Sequence, residues 1–137
     1  MIDRLRKRIS LGNREGGFTL IELLVVLIII AVLLAIAIPA YLGFKDRAEK
    51  RAAQSNVREA VPTAEAYAED NNGSYAAMDL AALKAIDPST KLDGDPRIDG
   101  GGTGYCIAST VGNHTARFVR SAGAAPDNTV EVDAGGC

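Results

Sequence analysis

From Phe18 to Ile38 the chain reads FTLIELLVVLIIIAVLLAIAI, an apolar run interrupted only by Thr19 and by one carboxylate, Glu22. Wound as a helix, a run of that length spans roughly 30 Å, the thickness of a bilayer's hydrocarbon layer. It is read as a membrane-inserting segment. What precedes it is polar and basic, with Arg4, Arg6, Lys7, Arg8 and Arg14 against Asp3 and Glu15, and it closes on Gly16-Gly17. Positive charge ahead of an inserting segment holds that end in the cytoplasm. Residues 18–137 carry the opposite balance, ten basic against fifteen acidic side chains, which argues against a nucleic-acid surface built on simple charge attraction.

An ordinary secretory signal is the plain alternative, and Ala35-Ile36-Ala37 even supplies its small-residue pattern. A plain signal-anchor is another. Three features count against a cleaved secretory signal: the apolar run is too long, it holds an acid near its start, and it continues into further helix. Glu22 carries the most weight. A carboxylate within a membrane helix costs roughly 2.5–3.5 kcal/mol on insertion scales, and insertion alone gains nothing from it. Its natural partner is a cation. A cut just before Phe18 would place a new α-amino group one helical turn from Glu22. The carboxylate of one chain could then meet the amine of the next and set their axial stagger.

Helical character continues past the apolar run. Pro39 and Gly43 are expected to bend or loosen the helix, and Pro62 to kink its second half. Between residues 44 and 70, Ala48, Ala52, Val57, Ala60, Val61, Ala64, Tyr67 and Ala68 recur at three- and four-residue steps, a narrow small-residue stripe. Glu49, Ala53, Glu65 and Glu69 are read as facing water. Asn71-Asn72-Gly73 suits a left-handed helix end. Asp79 is a plausible N-cap for a short helix over residues 79–86. Residues 87–104 read as loop, followed by short strands at 105–110, 115–121 and 129–133. Gly112-Asn113-His114 is the turn between the first two. The fold class is α+β: a long N-terminal helix packed by a small antiparallel sheet. A three-stranded sheet is marginal alone and needs that helix face. The expected divisions are a leader at 1–17, a membrane helix at 18–38, an amphipathic helix half at 39–70 and a head at 71–137.

The string Gly16-Gly17-Phe18-Thr19-Leu20-Ile21-Glu22-Leu23-Leu24-Val25-Val26 resembles the type IV prepilin motif, in which glycine, cleavage point, phenylalanine and an acid at the fifth mature position follow one another. Pro39 and the run Asn72-Gly73-Ser74-Tyr75 also stand where that family carries such residues. The resemblance covers roughly residues 10–75. It implies cleavage between Gly17 and Phe18 by a prepilin peptidase, N-methylation of Phe18, and passage of the apolar helices from the bilayer into the core of a helical filament. It further implies that Glu22 neutralises a neighbour's Phe18 amine, that the helix melts around Pro39, and that an assembly platform and minor pilins serve as partners. The chain would be a single-pass inner-membrane protein before assembly and an extracellular fibre after it.

Cys106 and Cys137 form an even pair where an oxidising environment is expected; the alternatives are a bridge or two free thiols. Pilins of this kind often carry such a staple. Asp93, Asp95 and Asp99 in KLDGDPRIDGG are weak calcium candidates, since alternate carboxylates on a glycine-rich loop suit a hard cation. The loop lacks a twelve-residue spacing with a closing glutamate. His114 has no nucleophile motif beside it, so neither an enzyme nor a resident cofactor is expected. The leading reading is a structural subunit of a type IV pilus, its major pilin. A type II secretion pseudopilin and a DNA-uptake pilin are the alternatives, the last limited by the few basic residues in the head, Lys84, Lys91, Arg97, Arg117 and Arg120.

Overall fold

A computed structural model describes residues 16–123 and 129–137; the expected leader therefore lies outside the described residues except for Gly16 and Gly17. The chain divides into two compact units between Tyr41 and Leu42. In the first, residues 16–19 are irregular and helix α1 begins at Leu20. Every described residue of this unit is exposed.

α1 spans Leu20–Asp70, 51 residues. It is assigned as helix without a break through Pro39, Gly43 and Pro62, so the expected loosening at these positions does not interrupt it. At Pro62 the reason is visible. The proline removes the partner of the Arg58 carbonyl, yet Arg58 and Pro62 are both exposed, so water can take that carbonyl. The helix stops as expected. Asn72 and Gly73 adopt φ of 56° and 81°, and the Gly73 amide donates to the Ala68 carbonyl at 2.7 Å.

The second unit holds residues 42–137. α2 covers Leu80–Ile86, with the Asp79 side chain accepting from the Ala82 amide at 2.6 Å, the cap expected from sequence. Four antiparallel strands follow as a meander in the order β1 (Arg97–Asp99), β2 (Gly104–Val111), β3 (His114–Arg120) and β4 (Glu131–Val132). β1 is a correction, because its three residues lie in the stretch read as loop. Three residues beside Pro96 carry no alternation of their own. Pairing of Ile98 with Tyr105 makes them a strand. Val111 pairs with His114 around Gly112-Asn113, a two-residue hairpin whose glycine has φ 59°.

Period-two alternation sends Tyr105, Ile107 and Ser109 of β2, with Ala116 and Phe118 of β3, to one face, where all are buried. α1 meets that face through Ala53, Val57, Ala60, Ala64 and Ala68, each buried. This corrects the expected stripe. Ala53 is fully buried, whereas Ala48 and Ala52 are exposed, and Glu49 and Glu65 are half-buried rather than water-facing. Small side chains on the helix leave room for Tyr105, Phe118 and Ile107, the bulky members of the core.

Candidate functional site

The junction singled out by sequence lies in the first unit. A Cβ placed on Gly16 or Gly17 would meet nothing within 4 Å, and Phe18 is 91% exposed. The peptide bond between Gly17 and Phe18 is thus open to approach. One residue on, Thr19 and Glu22 close a reciprocal capping box. The Glu22 amide donates to Thr19 Oγ1 at 3.2 Å, while Glu22 Oε2 accepts from the Thr19 amide at 2.9 Å and from its hydroxyl at 3.0 Å. The first helical bond runs from the Leu23 amide to the Thr19 carbonyl. Glu22 therefore has a local task here, where the Phe18 nitrogen is a peptide amide and offers no cation. Sequence reasoning missed Thr19, although the T-x-x-E spacing ahead of an apolar run is a legible capping signal. From Leu20 to Leu42 no large apolar side chain is buried, and Pro39 is exposed with them.

Within the second unit, two polar clusters tie α1 to the sheet, and neither was read from sequence. Glu65 accepts from the Tyr75 hydroxyl at 2.8 Å and the Tyr105 hydroxyl at 3.0 Å, and pairs with Arg120. Burial and then the Glu65 carboxylate push the Tyr75 phenol up to about 12, and burial raises Tyr105 further. Burial pulls Arg120 down, but the Glu65 carboxylate outweighs it and the guanidinium stays charged. The second cluster gathers around His114, whose Nδ1 lies 2.9 Å from Asp133 and whose Nε2 lies 2.8 Å from Asp46; Lys50 also reaches Asp133. The hydrogen bonds to Asp133 and Asp46 raise the imidazole above its ordinary range, and His114 in turn lowers Asp133.

Cys106 and Cys137 are bridged, which fastens Cys137 to the outer face of β2. The weak calcium candidates are held apart by separate donors. Asp93 accepts from the Thr110 amide and hydroxyl, Asp95 from the Leu80 amide, and Asp99 pairs with Arg97. Among the described residues no three His, Cys, Asp or Glu side chains gather as a metal set.

A family profile described as "Prokaryotic N-terminal methylation motif" matches residues 12–38. Over 117 residues the chain is 35% identical to the type IV wide pilus major component of Thermus thermophilus, covering 83% of this chain and 84% of that protein. It is 33% identical to the type II secretion system core protein G of Pectobacterium carotovorum over 63% of this chain and 54% of that protein. A 46% identical stretch matches the type IV major pilin protein of Myxococcus xanthus, covering 37% of this chain and 24% of that protein. In the first of these the match spans most of both chains; in the other two it spans about half or less of the relative. No solved structure matches significantly.

Proposed function

The chain belongs to the family of type IV pilins and pseudopilins, and from that membership we propose that it is the major subunit of a type IV pilus. It is a pilin-like structural subunit with one apolar helix that fits a membrane-anchored precursor. The observation that carries the finer reading is the extent of likeness. The match to a pilus major component reaches across 83% of the chain, against 63% for the secretion protein.

In this reading a prepilin peptidase hydrolyses the exposed Gly17–Phe18 bond, and Phe18 is N-methylated. The basic leader stays on the cytoplasmic side. Hydrolysis creates the cation that the uncut chain lacks. Glu22 can then exchange its capping contact for the Phe18 amine of a neighbouring subunit, while apolar helices take over the cover that lipid supplied. Because both environments are apolar, burial alone distinguishes them weakly, and the ion pair provides direction. The platform and minor pilins act on this same helix, and Pro39 marks where it can loosen during the transfer.

The test is to shear surface fibres and identify their subunits. The expected subunit begins at Phe18 and is two hydrogens light from its disulfide. Glu22→Ala should leave processing largely intact while fibre yield collapses. A mature chain beginning at Ile38, or normal fibres from Glu22→Ala, would overturn the reading. Assembly into a short periplasmic pseudopilus with no surface fibre would favour the secretion alternative.

A further inference from the structure

Among the described residues of the second unit, most charged side chains are matched within the chain, and of those that are not, Arg47, Arg51, Arg58 and Glu69 share one face of α1, while Lys84, Lys91 and Asp70 lie elsewhere. Among the described residues every carboxylate accepts a hydrogen bond or ion pair from its own chain except two adjacent ones, Glu69 and Asp70 at the end of α1. Both are exposed, and the last turn of α1 holds no basic residue. They sit against the negative end of the helix dipole, so the isolated chain gains nothing from them. Earlier on the same helix Arg47, Arg51 and Arg58 are exposed and, among the described residues, have no acidic partner. No acid stands three or four positions from any of them, and Arg47 and Arg51 are a like-charge pair at four-residue spacing. At about 100° per residue, Arg47, Arg51, Arg58 and Glu69 fall within a sector of about 40°, whereas Asp70 stands about 100° outside it. The sector lies about 120° around the helix from the buried alanines; Glu65 shares it but is taken up by Tyr75, Tyr105 and Arg120.

We infer that this face is bipolar by construction and docks a second copy of the same chain, the Arg58 end of one helix against the Glu69 end of its neighbour. The inference rests on the proposed polymer: chains inserted in one direction associate in parallel, which makes a stagger the only way to bring opposite charges together. Arg58 and Glu69 are eleven positions apart, so an axial offset of about 16 Å aligns them. Offsets longer by one or two further steps would reach Arg51 and Arg47. A nucleic acid is a poorer occupant for the row of arginines, because Glu69 on the same face repels phosphate.

Three measurements test this in cells that assemble the full chain. The first combines Arg58→Cys with Glu69→Cys. Within one chain these positions lie about 16 Å apart, beyond disulfide reach, and among the described residues no native thiol is free to interfere. Oxidised fibres should give a ladder of cross-linked chains on a non-reducing gel, and neither single variant should. Fibres without a ladder would overturn the inference while leaving the polymer reading intact. The second compares Arg58→Glu, Glu69→Arg and both together. Each single reversal should lose fibre yield and the pair should recover it; singles that assemble normally, or a pair no better than the singles, overturn it. If Arg47→Glu, Arg51→Glu and Arg58→Glu together assemble normally but lose retention of duplex DNA, the row serves nucleic acid and the inference is wrong. Absence of fibres from the unmodified chain would instead count against the proposed function itself.

Discussion

The Tyr105 hydroxyl donates to Glu65 Oε1 at 3.0 Å, joining β2 to a helix position forty residues earlier in the chain. Tyr75 occupies the other carboxylate oxygen, and Arg120, paired with Tyr105 across the β2–β3 register, completes the set. Removing the acceptor leaves two largely buried hydroxyls and a half-buried guanidinium without it. Glu65→Ala should therefore destabilise the fold by about 1–3 kcal/mol, the usual cost of orphaning such groups. Glu65→Gln, which keeps an accepting oxygen, should lose less. Thermal melts of the detergent-solubilised chain decide this, and unchanged melting in Glu65→Ala would show the cluster to be incidental.

The Cys106–Cys137 bridge closes a separation of 31 positions. Chain-entropy reasoning puts its contribution at about 3–4 kcal/mol. Reduction, or replacement of both cysteines by serine, should lower the melting temperature accordingly and free the segment around β4 to proteolysis. An unchanged melt and digestion pattern on reduction would refute this.

The imidazole cluster predicts a stability window in pH. His114 is raised above its ordinary 6.5, so its stabilisation is complete below that value and is lost as pH climbs through the raised one. Asp133 is lowered below its ordinary 3.8, so its share is present above that value and is lost as pH falls through the lowered one. Melting temperature should hold on the mildly acidic side of neutrality and decline in both directions. His114→Gln should flatten the alkaline limb, seen by melts across a pH series.

Thr19 and Glu22 share a capping box, yet only Glu22 is assigned a part in assembly. Thr19→Ala should weaken the helix start by about 0.5–2 kcal/mol while still permitting fibres. Equal loss of fibre yield in Thr19→Ala and Glu22→Ala would mean that capping, not charge pairing, explains the glutamate. Quantifying sheared fibres from both variants separates the two.

Features set by neighbouring residues were legible in the sequence. The apolar run, the cap at Asp79, the left-handed end at Asn72-Gly73 and the hairpin at Gly112 each depend on chemistry within a few positions. The glycine at 102 was not: its φ of 97° and the approach of Ala76, which a Cβ would meet at 2.7 Å, arise from the fold. The alanine stripe was found but misphased. Alanines occur at 48, 52, 53, 60, 64, 66 and 68, so several adjacent faces satisfy the same spacing.

The sequence by itself determined that a membrane-length helix bearing one acid after a Gly-Phe junction would lead into a small α+β head holding a pair of cysteines. Period, composition and turn chemistry are local and carry that much. Only the tertiary structure decided that Ala53 rather than Ala52 enters the core, that Arg97–Asp99 is a strand, and that Glu65 faces inward. The reason is physical. A carboxylate at a helix flank is solvated unless donors arrive from elsewhere, and here they arrive from Tyr75, Tyr105 and Arg120, ten to fifty-five positions away.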